Sequence, residues 1–307
     1  MSIQTDIDDD LPTLPPRILS KTRPFYWSVR RELWENRSIY VAPAATAAIV
    51  LAGLLIGAIN LPHHHLVVSM DDSSPGKAAG IPFEAAGAII LIASFVVGFF
   101  YCLGALQGER RDRTILFWKS LPVSDLTTVM AKAAIPLVVL PVVTFAVIVV
   151  THLIILAASF VILPMVGFPA NAMLTQFPLL TTWVDLIYLL ICLSLWHAPI
   201  WGWLMLVSGW ARRATFLWAV GPPIALTVFE RLAFGTHYVD AILRDRFKGA
   251  LTAAFGSTME AKGHMHIDAD HLDPLKFISS PGLWIGLIVA AGLFAAVVWQ
   301  RRYRTPI

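Results

Sequence analysis

Six stretches of the chain run apolar for about 18 residues or more, the length a helix needs to cross the hydrocarbon core of a bilayer. They cover about 39–61, 84–106, 133–163, 181–209, 214–234 and 283–300. The pattern predicts an all-α polytopic membrane protein with six transmembrane helices. The third stretch exceeds a single crossing, and Pro136 and Pro141 near its start predict a bend there, because proline removes helix hydrogen bonds.

Two amphipathic segments flank this apolar frame. Before the first span, "RPFYWSVRRELWENRS" places Phe25, Val29 and Leu33 on one helical stripe, with Arg30, Arg31 and Glu35 elsewhere and Trp27 and Trp34 at its borders. Residues 24–38 therefore form an expected interfacial helix at headgroup level. The only long polar interruption, about 235–281, contains "YVDAILRDRFKGALTAAF", whose Val239, Ile242, Leu243, Phe247 and Leu251 recur at helical spacing. It predicts an amphipathic helix on the outer surface, within a segment too small for a separate catalytic domain. The acidic, proline-rich residues 1–23 lack a basic start and an apolar core, and are expected as a disordered cytoplasmic tail. The remainder, 39–307, is one six-span domain.

Composition sharpens the class. Of 307 residues 57% are hydrophobic and 14% charged, with mean hydropathy +0.70, against about a quarter charged in soluble domains. Both cysteines, Cys102 and Cys192, lie within apolar runs, so no disulfide framework is encoded. The net charge of +3 carries no nucleic-acid reading, since the basic residues mark topology instead. Sixteen of the 23 Lys and Arg fall on the side that holds both termini and the connections at 107–132 and 210–214. The opposite side holds seven: Lys77, Arg231, Arg244, Arg246, Lys248, Lys262 and Lys276. Positive charge stays on the cytoplasmic side, so both termini are expected there, in a multi-pass protein of the inner (plasma) membrane.

The densest charge lies in "GERRDRTILFWKSLPVSDLTTVMAKA", residues 108–133, between the second and third spans. A basic loop alone would satisfy topology. This one also carries bulky apolar residues, then Pro122 as a break and Ser124 as a candidate N-cap of a helix leading into the third span. A charged helix–proline–helix elbow with apolar anchors suits protein docking. The segment resembles the connection after the second span in permease subunits of type-2 ABC transporters, where a Glu-Arg pair, a Thr-Ile-Leu run and "LPVS" recur. The similarity extends to "VRRELWENRS" before the first span and to "SSPGLWIGLIV" opening the last, with its Arg-rich tail. It implies that 108–132 is a cytoplasmic coupling helix seated in the cleft of an ATP-binding-cassette ATPase. Glu109, Arg110, Arg111, Arg113, Ile115, Leu116, Trp118 and Lys119 would make the docking contacts. It also implies export through a pore between two permease chains, in a homo- or heterodimer surrounded by membrane lipid. No "GxxxxGK[ST]" phosphate-binding loop occurs in this chain, so no cofactor is expected here, and ATP and Mg belong to the separate partner.

Polar groups at membrane depth are costly and invite a functional reading. Asp185 in the fourth span and Arg231 in the fifth lie at matched depths and form a candidate ion pair, against the alternative that each reaches the interface alone. His152 and His197 lie deeper, where hydrogen bonding to a neighbouring helix is the expected role. The outer segments carry "HHH" at 63–65 and "HMHIDADH" at 264–271. Imidazole and carboxylate suit zinc or copper, but the spacing matches no defined site, so no metal ligands are assigned. An intramembrane protease is the alternative from another class, yet HExxH, GxSxG and paired intramembrane glutamates are all missing from the sequence. A non-transporting sensor or scaffold using the same ATPase is the third reading, and the small outer segment weighs against it.

Overall fold

The computed structural model describes residues 22–60, 75–108, 124–165, 171, 178–255, 257–259, 265–267 and 273–303. These residues build an all-α polytopic membrane fold. Helix α1 (Thr22–Glu35) turns into the first span, α2 (Ser38–Asn60), and α3 (Pro75–Gly104) returns. The third crossing is continuous from Asp125 to Met165: α4 (Asp125–Ala134), a π-helical turn (Ile135–Val139) and α5 (Leu140–Met165). Next come α6 (Leu179–Trp196), α7 (Ala198–Trp210), α8 (Thr215–Phe234) and α9 (Tyr238–Phe255). Strands β1 (Ser257–Met259) and β2 (Met265–Ile267) pair antiparallel with Thr258 opposite His266. Short helix α10 (Pro274–Ser279) leads into the last span, α11 (Pro281–Tyr303). A helix satisfies its own backbone groups, which is why such elements can stand in lipid.

Six helices are long and apolar enough to cross a membrane. The proline-containing start of the third crossing is a π turn: Pro136 has no N–H to offer, and the Leu140 N–H reaches back to the Ile135 carbonyl, five residues away. One expectation is corrected in detail. The fourth span, expected as one helix over 181–209, is two helices broken at His197, whose φ of −87° and ψ of 1° leave the helical region. Pro199, in the first turn of α7, restarts the helix there.

Helix α9 turns back against α6. The Trp196 indole donates to the Asp245 carbonyl at 3.1 Å, and the Phe247 ring stands 6.5 Å from Phe95, inside the span Gly80–Gly104. The Arg246 guanidinium lies 5.0 Å over the Trp196 ring and donates to the Gly282 carbonyl at 2.6 Å. A Cβ on Gly286 would fall 2.5 Å from Arg246 Nη1, so the bare backbone makes the room. The helix thus packs through its polar and small face, and leaves Ile242 and Phe247 exposed. Trp196 offers a flat surface to Arg246 and Gly249.

Helices α7 and α11 pack along one another, with α3 beside α7 and α2 and α5 beside α3. The main core, including Ile39, Cys102, Val129, Leu204, Met205 and Val297, sits towards the end where α1 and the close of α11 both meet α4. Both described ends of the chain therefore lie at one end of the bundle. Two residues of the α1 stripe, Val29 and Leu33, pack against this core, while Phe25, Tyr26, Trp27 and Trp34 stay exposed.

Candidate coupling site

The eight docking residues expected from sequence, Glu109, Arg110, Arg111, Arg113, Ile115, Leu116, Trp118 and Lys119, lie outside the described residues. Both flanks of their segment are described, and both are tied down by buried polar contacts.

Upstream, just past the end of α3, the Leu106 and Gln107 N–H groups donate to Oγ of Ser208 on α7, at 3.0 and 3.1 Å. Ser208 is fully buried, and leaving such a buried N–H unpaired costs about 1–3 kcal/mol. The Thr215 hydroxyl, opening α8, donates to Gln107 Oε1. Downstream, Ser124 is the N-cap of α4, its Oγ accepting from the Thr127 N–H at 3.1 Å. Asp125 follows in the first turn, where a carboxylate favours the helix dipole, and it accepts from Arg301 Nε at 3.0 Å. Arg301 ends α11, so this contact fastens the last span to the start of the third crossing.

Two turns along α4, Lys132 Nζ donates to Glu32 Oε1 at 2.8 Å. Tyr101, near the end of α3, donates its hydroxyl to Glu32 Oε2 at 2.9 Å. Glu32, Lys132 and Tyr101 are 2%, 3% and 7% exposed. Arg31 Nη2 lies a further 3.8 Å from Glu32 Oε1. One carboxylate thus has both oxygens engaged and a cation in contact, the condition under which a buried charge is tolerated. Three helices meet here: α1, the helix entering the charged segment and the helix leaving it. Sequence reasoning counted Lys132 only as topological charge and missed Glu32 and Tyr101. Glu32 was findable, since it falls three residues after Val29 and seven after Phe25, on the same stripe.

The intramembrane candidates sort differently. The ion pairs formed among the described residues do not include Asp185 with Arg231. Arg231 is exposed near the end of α8. Its neighbour Glu230 is the engaged group, accepting from the Tyr238 and Val239 N–H groups at 2.7 and 2.8 Å and from the Thr236 hydroxyl at 2.7 Å. It caps α9 across the turn at Gly235, whose φ of +66° closes α8. His152 does bond neighbouring helices: Nδ1 accepts from Trp183 Nε1 at 3.2 Å, which leaves Nε2 to donate to the Phe83 carbonyl at 3.1 Å. His197, at the break, bonds back to the Leu193 carbonyl of α6 at 2.8 Å and not to a neighbouring helix. Of the outer His and Asp candidates, only the backbone of His266, on β2, is described. Among the described residues no group of three His, Cys, Asp or Glu is arranged to hold a metal ion.

Beside the tied end, α7, α8 and α11 enclose a cleft of about 400 Å³ walled by Trp203, Trp210, Trp218, Pro222 and Trp299. The Trp210 and Trp218 rings meet edge to face at 4.8 Å, and Trp203 Nε1 donates to the Ala219 carbonyl at 3.0 Å. Gln300 also lines the cleft, 5% exposed, with no hydrogen-bond partner for Oε1 among the described residues.

No protein-family model matches the chain, and neither a curated protein nor a solved structure matches it significantly.

Proposed function

We propose that the chain is the membrane-spanning permease subunit of an ATP-binding-cassette exporter, acting as a dimer and driven by a separate ATPase that holds ATP and Mg. The observation that carries the reading is the way the flanks of 109–123 are fastened. The Glu32–Lys132–Tyr101 contacts join α1 to the helices on either side of the segment, Ser208 adds α7, and the Asp125–Arg301 pair adds α11. A force applied between flanks fastened in this way is delivered to several spans at once. A loop that served topology alone would need no buried charges around its base.

In this reading Glu109 and the arginines orient the segment in the ATPase cleft, and Ile115, Leu116 and Trp118 give buried contact. The end of the bundle bearing α1 faces the cytosol, where the nucleotide is. Dimerisation has its own support in α8, which is both the least hydrophobic of the six spans and the least buried within the chain. Lipid is the poorest cover for such a helix, and a second permease chain is a better one.

The test is purification of the tagged chain from its own membranes. A co-purifying subunit with a phosphate-binding loop, whose ATP hydrolysis falls in the Glu109→Arg variant while chain yield holds, supports the proposal. Recovery of the chain with no nucleotide-hydrolysing partner in mild detergent overturns it.

A further inference from the structure

Of the two adjacent arginines on α1, one is satisfied by the protein and the other is not. Arg31 donates to Glu35 at 2.8 Å and lies 3.8 Å from Glu32. The Arg30 guanidinium instead lies 5.0 Å over the Trp27 ring and 4.7 Å over the Trp34 ring, and it donates to no residue among those described. Ring contacts of this kind position the cation while leaving its N–H groups for an acceptor. The arrangement is open: Trp27 and Trp34 are 55% and 65% exposed, whereas Glu32 and its neighbours Val29 and Leu33 turn to the protein.

The surroundings identify the acceptor. Helix α1 lies at one end of the spans, since Glu32 bonds Tyr101 near the close of the span Gly80–Gly104 and the span Ser38–Gly57 begins just after α1 ends. That first span is only 17% buried within the chain, and Tyr40 and Val41 at its start are exposed. Lipid therefore reaches up to α1. Exposed Tyr26, Trp27 and Trp34 suit the headgroup boundary, where an aromatic ring keeps its apolar body in lipid and its polar tip in water. At that boundary the group that fits an unpaired guanidinium is a lipid phosphate.

We infer that the exposed face of α1 binds an anionic phospholipid, with the phosphate on the N–H groups of Arg30 and the upper acyl chain against Trp27 and Trp34. This adds a ligand and a headgroup preference to the position expected for the helix. A choline headgroup brings its own cation beside the phosphate and competes with Arg30, so lipids of net negative charge are preferred. A protein partner fits less well, because the aromatic face adjoins a span that lipid already covers. The site does not depend on the permease reading and would stand without it.

The experiment uses the full-length chain in phosphatidylcholine bilayers doped with phosphatidylglycerol or phosphatidylcholine that carries a photoreactive group beside the headgroup. Cross-links on residues 24–38 are then counted by mass spectrometry. The wild type should label with phosphatidylglycerol about tenfold more than with phosphatidylcholine, the equivalent of one charge-assisted hydrogen bond. Arg30→Gln should erase the preference. Arg37→Gln, at an exposed arginine with no ring contact among the described residues, should largely keep it. Both variants should melt as the wild type does, since neither side chain bonds another described residue. Equal labelling by the two lipids in the wild type overturns the proposal, as does a preference that survives Arg30→Gln. An equal loss in the two variants also overturns it, by reducing Arg30 to a share of the general surface charge. So does the absence of label from either lipid, which would show that a protein and not the bilayer covers this face.

Discussion

Glu32 of α1 and Lys132 of α4, 100 residues apart in the chain, meet at 2.8 Å with each side chain 3% exposed. Removing one member of a buried pair strips the other charge of its direct partner, at about 3–5 kcal/mol, whereas replacing both can be nearly neutral. Glu32→Gln and Lys132→Met should each lower the melting temperature in detergent well beyond the double variant. The Tyr101 hydroxyl can still bond an amide at position 32, and after Lys132→Met the Arg31 guanidinium still lies 3.8 Å from the carboxylate, so each single change keeps part of the network. A double-mutant cycle in which the losses simply add would show that the contact contributes nothing as a pair.

Ser208 makes a second anchor of a different kind, one hydroxyl serving two backbone N–H groups. Ser208→Ala strands both donors, with an expected loss of about 1–3 kcal/mol. Hydrogen exchange should speed up at Leu106 and Gln107 while staying unchanged in the middle of α3. Uniform loss of protection along α3 would mean that the serine supports the helix and not its end.

The crossings were legible in the sequence because lipid imposes a length and an apolar composition that any window exposes. The polar scaffold was not, because its members lie far apart in the chain and each has a bland local explanation. Lys132 passes for positive-inside charge, and Tyr101 for an ordinary aromatic in an apolar span. Asp185 and Arg231 do not pair with each other among the described residues. Matched depth suggests proximity without establishing it, and the engaged group on α8 is Glu230, one residue away, whose capping of α9 shows only once the turn at Gly235 is known. The break at His197 was signalled by Pro199 and overlooked because the apolar run continues across it.

Ala214 is the one described non-glycine residue with positive φ, +51°, at the N-cap of α8. An L-residue in that region costs about 1–2 kcal/mol relative to glycine. Ala214→Gly should therefore raise stability by about 1 kcal/mol after the added freedom of the unfolded chain is subtracted. The melting temperature of the purified variant checks it, and a decrease would mean that the Ala214 methyl group has a packing role.

Orientation follows from the proposed function and the basic asymmetry together. With Cys102 and Cys192 replaced by alanine, single cysteines at Ser124 and Ser257 should respond oppositely to a membrane-impermeant thiol reagent in intact cells. Only the Ser257 position should react, and the Ser124 position should react after the membrane is opened. The reverse labelling would put α1 outside and remove any access to cytosolic ATP.

The docking prediction separates a coupling element from a topological one. If 109–123 seats in an ATPase cleft, Glu109 and Trp118 act there and contribute nothing to span formation, so their variants should insert and fold as the wild type does. Truncating a buried interfacial charge pair costs about 2–5 kcal/mol, enough to weaken partner affinity tenfold or far more. Glu109→Arg should therefore reduce ATPase co-purification or uncouple hydrolysis from substrate. Trp118→Ala should do so by losing buried area, and its effect should resist added salt while that of Glu109→Arg does not. The fastened base sharpens the contrast. Lys132→Met should leave the docking surface intact and so keep the partner bound, yet loosen α4 from α1 and lower the hydrolysis that substrate stimulates. Full partner yield and full coupled hydrolysis in all three variants would reduce the segment to an anchor for membrane topology.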